Sequence, residues 1–136
     1  MRRLTVWTGL LWSLAAAAQS LPDDLPKADS FSQADMYTHW IENRCIGRLG
    51  YGKALTGDAY RSAAAWLQFG HLPIEAYNQG DELIDRYLKI KLGGSVPGEF
   101  KVLQCTLIAA TPGVKKIFDK YEAISLKYAA KPAADP

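Results

Sequence analysis

The sequence predicts an all-α fold, a compact bundle of about five helices with one disulfide. Apolar residues recur at three- and four-residue steps in successive stretches, the period that gathers side chains on one face of a helix. No stretch sustains the two-residue alternation of a half-buried strand, and the Gly and Pro stops arrive at helical rather than strand spacing. Cys45 and Cys105 are an even pair and suit one cross-link.

The chain opens with Arg2 and Arg3, an apolar run from Leu4 to Leu14, and the small residues Ala15 to Ala18, the three parts of an export signal. The run falls short of the roughly 20 residues that a membrane span needs, and no cysteine follows it for lipidation. Residues 1–18 are therefore expected to be a signal peptide, cleaved before Gln19, leaving a periplasmic protein without a membrane anchor. Cleavage removes Arg2 and Arg3 and brings the 16 Lys and Arg level with the 14 Asp and Glu. A neutral mature chain lacks the basic face that nucleic-acid binding wants. Its length suits one domain. In an oxidising compartment the two cysteines are most simply a disulfide, two inert buried thiols being the alternative. A bridge enclosing about 60 residues is worth roughly 4 kcal/mol in the chain-entropy model.

Residues 19–31 contain Pro and Asp without periodic apolar positions and read as an exposed leader. The folded part runs over residues 32–128. In the first helix Tyr37, Trp40, Ile41, Cys45 and Leu49 share a face, Ser32 can cap the start, Gly50 can stop the end, and Glu42, Asn43 and Arg48 are expected to face away. The second covers Thr56 to Phe69, capped by Thr56 or Asp58, with a thin face of Ala59, Ala63, Trp66 and Leu67, and is stopped by Gly70. Pro73 opens the third in its first turn; Ile74, Tyr77, Ile84, Tyr87 and Leu88 carry its period on to Leu92, with Gly80 a weak point in the middle. After the turn Gly93–Gly98 comes a fourth helix with Phe100, Leu103 and Leu107 expected in the core and Cys105 within reach of the first helix. Thr111 and Pro112 start a fifth, whose stripe is Val114, Ile117, Phe118, Tyr121 and Ile124. Residues 129–136 read as a flexible tail.

No catalytic signature is present. His39 and His71 are the two histidines and neither lies in a motif; Ser62 and Ser125 lack a nucleophile elbow; a cysteine in a disulfide is no nucleophile. Asp81, Glu82 and Asp85 could do acid–base work as close carboxylates. They stand beside Arg86 and Lys89, however, and Asp85 and Lys89 have the i, i+4 spacing of a helix-surface ion pair, so a solvated face is the better reading. No cofactor and no metal is implied, because haem attachment needs a CxxCH and zinc needs further ligands.

Asn43-Arg44-Cys45-Ile46, then Asp58, Ala59, Ser62, Ala63 and Trp66, then the block from Glu75 through Leu83, Ile84, Tyr87 and Leu88, and finally Phe100, Leu103, Gln104 and Cys105 resemble the type VI secretion amidase immunity proteins, in particular those guarding against the fourth amidase family. The chain departs from that pattern after Cys105, where Thr106, Leu107, Ile108 and Ala109 stand in place of an acidic residue and a tyrosine near a serine. The resemblance implies a non-enzyme: a periplasmic helical homodimer that blocks a secreted papain-like cysteine amidase of peptidoglycan peptide stems. An occluding inhibitor of a narrow catalytic groove needs a convex element. The two candidates for effector contact are the glycine-rich turn Gly93, Gly94, Ser95, Val96 and Pro97, and the polar face of the third helix, Glu75, Asn78, Gln79 and Glu82. The competing class is a small periplasmic helical chaperone of the acid-stress type, also with one disulfide. A gene for a secreted cysteine amidase beside this one separates the two.

Overall fold

The computed structural model describes Pro22 and residues 24–130, so the expected signal peptide and residues 131–136 of the expected tail lie outside the described residues. A 3-10 turn over Ala28–Ser30 leads into α1 (Gln33–Arg48), α2 (Lys53–Phe69), α3 (Ile74–Leu88), α4 (Lys101–Ala109) and α5 (Pro112–Ala129), with no strand among the described residues. Helix α1 is the axis: α2, α4, α3 and α5 all pack on it, and α3 also packs on α4 and α5. The core is aromatic around Tyr37, Trp40, Tyr77, Phe118 and Tyr121, and aliphatic around Ile41, Ile84 and Ile108. Tyr37 stacks on Trp40 at 6.0 Å, and Tyr77 meets Trp40 edge-on at 4.9 Å. The buried Tyr37 hydroxyl donates to the Ala76 carbonyl at 2.7 Å and ties α1 to α3.

Local chemistry sets the helix ends. Ser32 caps α1, its Oγ accepting from the Asp35 backbone N–H at 3.1 Å. Helix α2 begins at Lys53 rather than Thr56, because Gly52, at φ 85°, makes the turn that a residue with Cβ resists, so neither Thr56 nor Asp58 is the cap. Gly70 ends α2 as expected, and Pro73 is the N-cap of α3 rather than a residue of its first turn. Helix α3 stops at Leu88, short of the expected Leu92. Pro112 opens α5 after the Thr111 cap.

The disulfide joins Cys45 of α1 to Cys105 of α4 with the Cα atoms 5.5 Å apart and both residues fully buried. On α4 the expected face is wrong. Gln104, Cys105, Ile108 and Ala109 face inward, while Leu103 and Leu107 are each 50% exposed and Phe100 is half-buried. Cys105 fixes the helix's rotation through its bond to Cys45, and at 100° per residue that turns Leu103 and Leu107 outward. Gly80 is likewise no weak point. It is buried against α1, where an added Cβ would lie 2.7 Å from Ile41 Cδ1, 2.8 Å from Trp40 Cζ3 and 2.8 Å from the Tyr37 hydroxyl oxygen.

Candidate functional site

Helix α3 is amphipathic, and its inner side is Ala76, Tyr77, Gly80, Leu83 and Ile84. Steps of 100° per residue place Glu75, Asn78, Gln79 and Glu82 opposite, within an arc of about 100°. Glu75, Asn78 and Glu82 are exposed there and Gln79 is half-buried. The four form one polar face over the first half of the helix, backed by the close Gly80 contact.

An ion-pair clasp fixes the flank of this helix. Arg44 grips Asp81 with both prongs, Nε to Oδ1 at 2.9 Å and Nη2 to Oδ2 at 3.0 Å. Arg48 reaches Asp81 Oδ1 at 2.8 Å, donates to the Asp81 carbonyl at 3.1 Å, and pairs with Asp85. The guanidinium of Arg44 also lies 5.0 Å from the Tyr60 ring centre, which brings α2 into the clasp. Its pKa is raised, first by the Asp81 hydrogen bond. Two expectations fall here. Arg48 does not face away, and Asp85 pairs with Arg48 of α1 instead of Lys89 on its own helix, since the α1–α3 approach offers a cation whose side chain is already four-fifths buried.

The second candidate lies beyond the C-terminal end of the same helix. Gly93, Gly94, Ser95, Val96 and Pro97 are all exposed, Val96 at 63%. The segment is anchored at both ends. Buried Gln104 donates through Nε2 to the carbonyls of Tyr87 and Ile90, each at 2.7 Å, and so ties α4 to the end of α3, where the Tyr87 carbonyl also accepts from the Ile90 N–H at 3.0 Å. At the other end Phe100 adopts φ 50° as the N-cap of α4, and its ring lies where a Cβ on Gly94 would sit, 2.8 Å away. The structure thus puts the two candidate elements on one helix and its outlet, as neighbouring rather than merged surfaces.

The histidines serve packing and junction. His39 stacks on Trp66 at 4.6 Å, with Phe31 edge-on to both rings. The His71 backbone N–H donates to Gln33 Oε1 at 3.0 Å while Gln33 Nε2 donates to the Phe69 carbonyl at 3.0 Å, so Gln33 staples the α2–α3 junction. Among the described residues no group of three or more His, Cys, Asp and Glu is placed to hold a metal. Sequence reasoning missed the Arg44–Asp81 clasp and the Gln104 anchor. A polar Gln beside Cys105 was the available signal for the second.

A family model described as type VI secretion system amidase immunity protein, Tai4, matches residues 35–118. No curated protein matches the chain. Among solved structures, the chain is 42% identical over 73% of its length, and 98% of the other chain, with a TM-score of 0.64, to a chain in the crystal structure of the effector Tae4 from Salmonella typhimurium in complex with the immunity Tai4 from Enterobacter cloacae. The type VI effector-immunity complex Tae4-Tai4 from Enterobacter cloacae matches at 42% identity, over 73% of this chain and 97% of that one, again with a TM-score of 0.64. The Tae4 / Tai4 structure from Salmonella typhimurium matches at 22% identity over 68% of this chain and 92% of that one, with a TM-score of 0.64, and shows the shared fold.

Proposed function

The chain belongs to the type VI secretion system amidase immunity family, and from that premise we propose that it binds and occludes a secreted papain-like cysteine amidase of peptidoglycan, protecting the cell that makes it. The family match over residues 35–118 is the observation that carries this reading. The site agrees with a blocking role: two exposed convex elements are held in place by the Arg44–Asp81 clasp, the Gln104 anchor and the disulfide. The protein acts in the periplasm, reached through residues 1–18, and contributes no chemistry of its own; occlusion alone stops the enzyme. It is a homodimer, and Leu67, Phe69 and Ile74 at the α2–α3 junction are exposed apolar residues of the middle helices suited to a two-fold interface.

The test is inhibition of peptide-stem cleavage by the amidase, with purified partners. Shortening the turn Gly93–Pro97, or replacing Asn78 and Gln79 by lysine, is expected to weaken inhibition about tenfold or more, with the thermal midpoint and the dimer unchanged. A wild-type chain that neither binds nor inhibits sinks the reading. Full inhibition by both variants moves the contact surface elsewhere. Light scattering of the mature chain at micromolar concentration checks the dimer.

A further inference from the structure

Phe100 takes φ 50° and ψ 35° as the N-cap of α4, and is the one non-glycine residue with positive φ among the described residues. In this left-handed region Cβ crowds the following carbonyl oxygen, so a bulky residue there is strained and stays only where its surroundings hold it. Starting a helix does not require such strain. Ser32, Pro73 and Thr111 cap α1, α3 and α5 from extended backbone. The other N-cap with positive φ is Gly52, which has no side chain to strain. At Phe100 the chain keeps both the conformation and the ring, so the ring has a task that glycine could not perform.

That task is visible at Gly94. A Cβ on Gly94 would lie 2.8 Å from Cε2, 2.9 Å from Cζ and 3.6 Å from Cδ2 of the Phe100 ring, so the ring edge sits directly on the glycine. Hydrogen bonds do not hold this part of the chain. The Ile90 carbonyl takes Gln104 Nε2 at 2.7 Å and the Phe100 carbonyl takes the Gln104 N–H at 2.9 Å. Between them, residues 91–99 neither donate nor accept a hydrogen bond among the described residues. An added Cβ at Gly93 or Gly98 would meet nothing within 4 Å, so Gly94 is the one glycine of the turn on which a neighbour closes.

We propose that Phe100 is a positioning residue for inhibition: its ring, held over Gly94 by a strained backbone, sets the exposed turn Gly93–Pro97 in the shape that meets the amidase. The inference rests on the functional reading above and names, within it, the residue that shapes the contact element. Phe100 is half-buried and acts through Gly94, so it does this without touching the enzyme. Strain at one residue is carried in the free protein, and in exchange the turn has less freedom to lose on binding. Gly94 is the other half of the device, because any side chain there pushes the ring away.

The experiment uses the mature chain, with the Tae4 effector of Enterobacter cloacae as probe. It reads affinity, and the backbone order of the unbound turn from amide relaxation at Gly94, Ser95 and Val96. Phe100→Asn tolerates the left-handed backbone but has no ring, whereas Phe100→His tolerates it and keeps one. The Asn variant should bind about tenfold more weakly, with order parameters in the turn falling below about 0.6. The His variant should recover most of both. Gly94→Ala should weaken binding by itself yet add nothing in the Phe100→Asn background, because the ring it collides with is gone. A methyl that obstructed the enzyme directly would act equally in both backgrounds, and that additivity overturns the proposal. An Asn variant that binds like the wild type overturns it too, although the functional reading then stands. A wild type that binds no amidase brings down the functional reading, and the proposal with it. If Phe100→Asn melts early, Gly94→Ala, at an exposed position outside the helices, carries the test: an ordered turn in that variant refutes the proposal and a loosened one supports it.

Discussion

Replacing Gly80 by alanine separates two opposite accounts of α3. In an ordinary exposed helix interior, alanine in place of glycine stabilises by up to about 1 kcal/mol. At Gly80 the new methyl would meet Ile41 Cδ1 at 2.7 Å, Trp40 Cζ3 at 2.8 Å and the Tyr37 hydroxyl at 2.8 Å. These partners are 0%, 5% and 2% exposed, and two of them are rings locked in a stack, so relief requires moving α3 off α1. Overpacking of a tight core costs about 1–3 kcal/mol, and three simultaneous overlaps belong in the upper half of that range. After the propensity gain, Gly80→Ala should destabilise by about 1–2 kcal/mol. Gly57, in the interior of α2, has the Arg61 guanidinium at 3.4 Å as its nearest neighbour, so Gly57→Ala should stabilise by about 0.5–1 kcal/mol. Urea denaturation of both variants reads the two signs. If Gly80→Ala gains stability as Gly57→Ala does, the close α1–α3 approach is wrong.

Replacing Cys45 and Cys105 together by alanine should cost about 4 kcal/mol for a bridge across 60 residues, measured by denaturant unfolding; an unchanged midpoint would show that the bridge is not formed. The Tyr37 phenol, raised in pKa chiefly by burial with Tyr77 and Asp81 adding to it, must stay protonated in the fold. Its contribution is therefore complete below about pH 10, where the unfolded phenol ionises, and is lost as pH climbs from there toward the folded value. Tyr37→Phe should flatten this alkaline loss, at the cost of about 1 kcal/mol at neutral pH from the hydrogen bond to Ala76. Gln104→Leu removes the side-chain donor from the Ile90 carbonyl and leaves the Tyr87 carbonyl with the Ile90 N–H alone, which should cost about 1–3 kcal/mol. In that variant hydrogen exchange should quicken at the end of α3 and in the following segment before it does elsewhere.

Much of the fold was legible because each helix carries its own punctuation. Ser32, Gly70, Pro112 and the α5 stripe are local signals, read within a few residues, and the structure follows them. What failed was what depends on a second helix. The α4 face was misread because Leu103 and Leu107 look like core by hydropathy, whereas the bond to Cys45 and the two carbonyls at the end of α3 turn Cys105 and Gln104 inward. The role of Asp81 and Asp85 was misread for the same reason. The spacing of Asp85 and Lys89 on one helix is visible in sequence, and a partner 37 residues away on α1 is not. The exposed placement of Glu75, Asn78 and Glu82 was readable, since a polar arc opposite an apolar one follows from the helical period alone.

Under the proposed occluding role, these tertiary contacts bear on how a protein could inhibit by binding alone. Such a protein acts only while bound, so any freedom its contact elements lose on binding is subtracted from affinity, at about 0.5–1.5 kcal/mol for each immobilised flexible side chain. A glycine-rich turn left free at both ends would be a poor plug. Here the segment between α3 and α4 leaves from carbonyls held by Gln104 and returns through Phe100, whose ring packs on Gly94. Helix α4, which carries both anchors, is itself bonded to α1 through Cys105. The same disulfide thus holds the core and shortens the free length of the turn. Its loss should accordingly slow association or hasten dissociation of the amidase even at temperatures where the reduced protein stays folded. A reduced, folded chain that binds as tightly as the oxidised one would show that the order of the turn does not depend on the bridge.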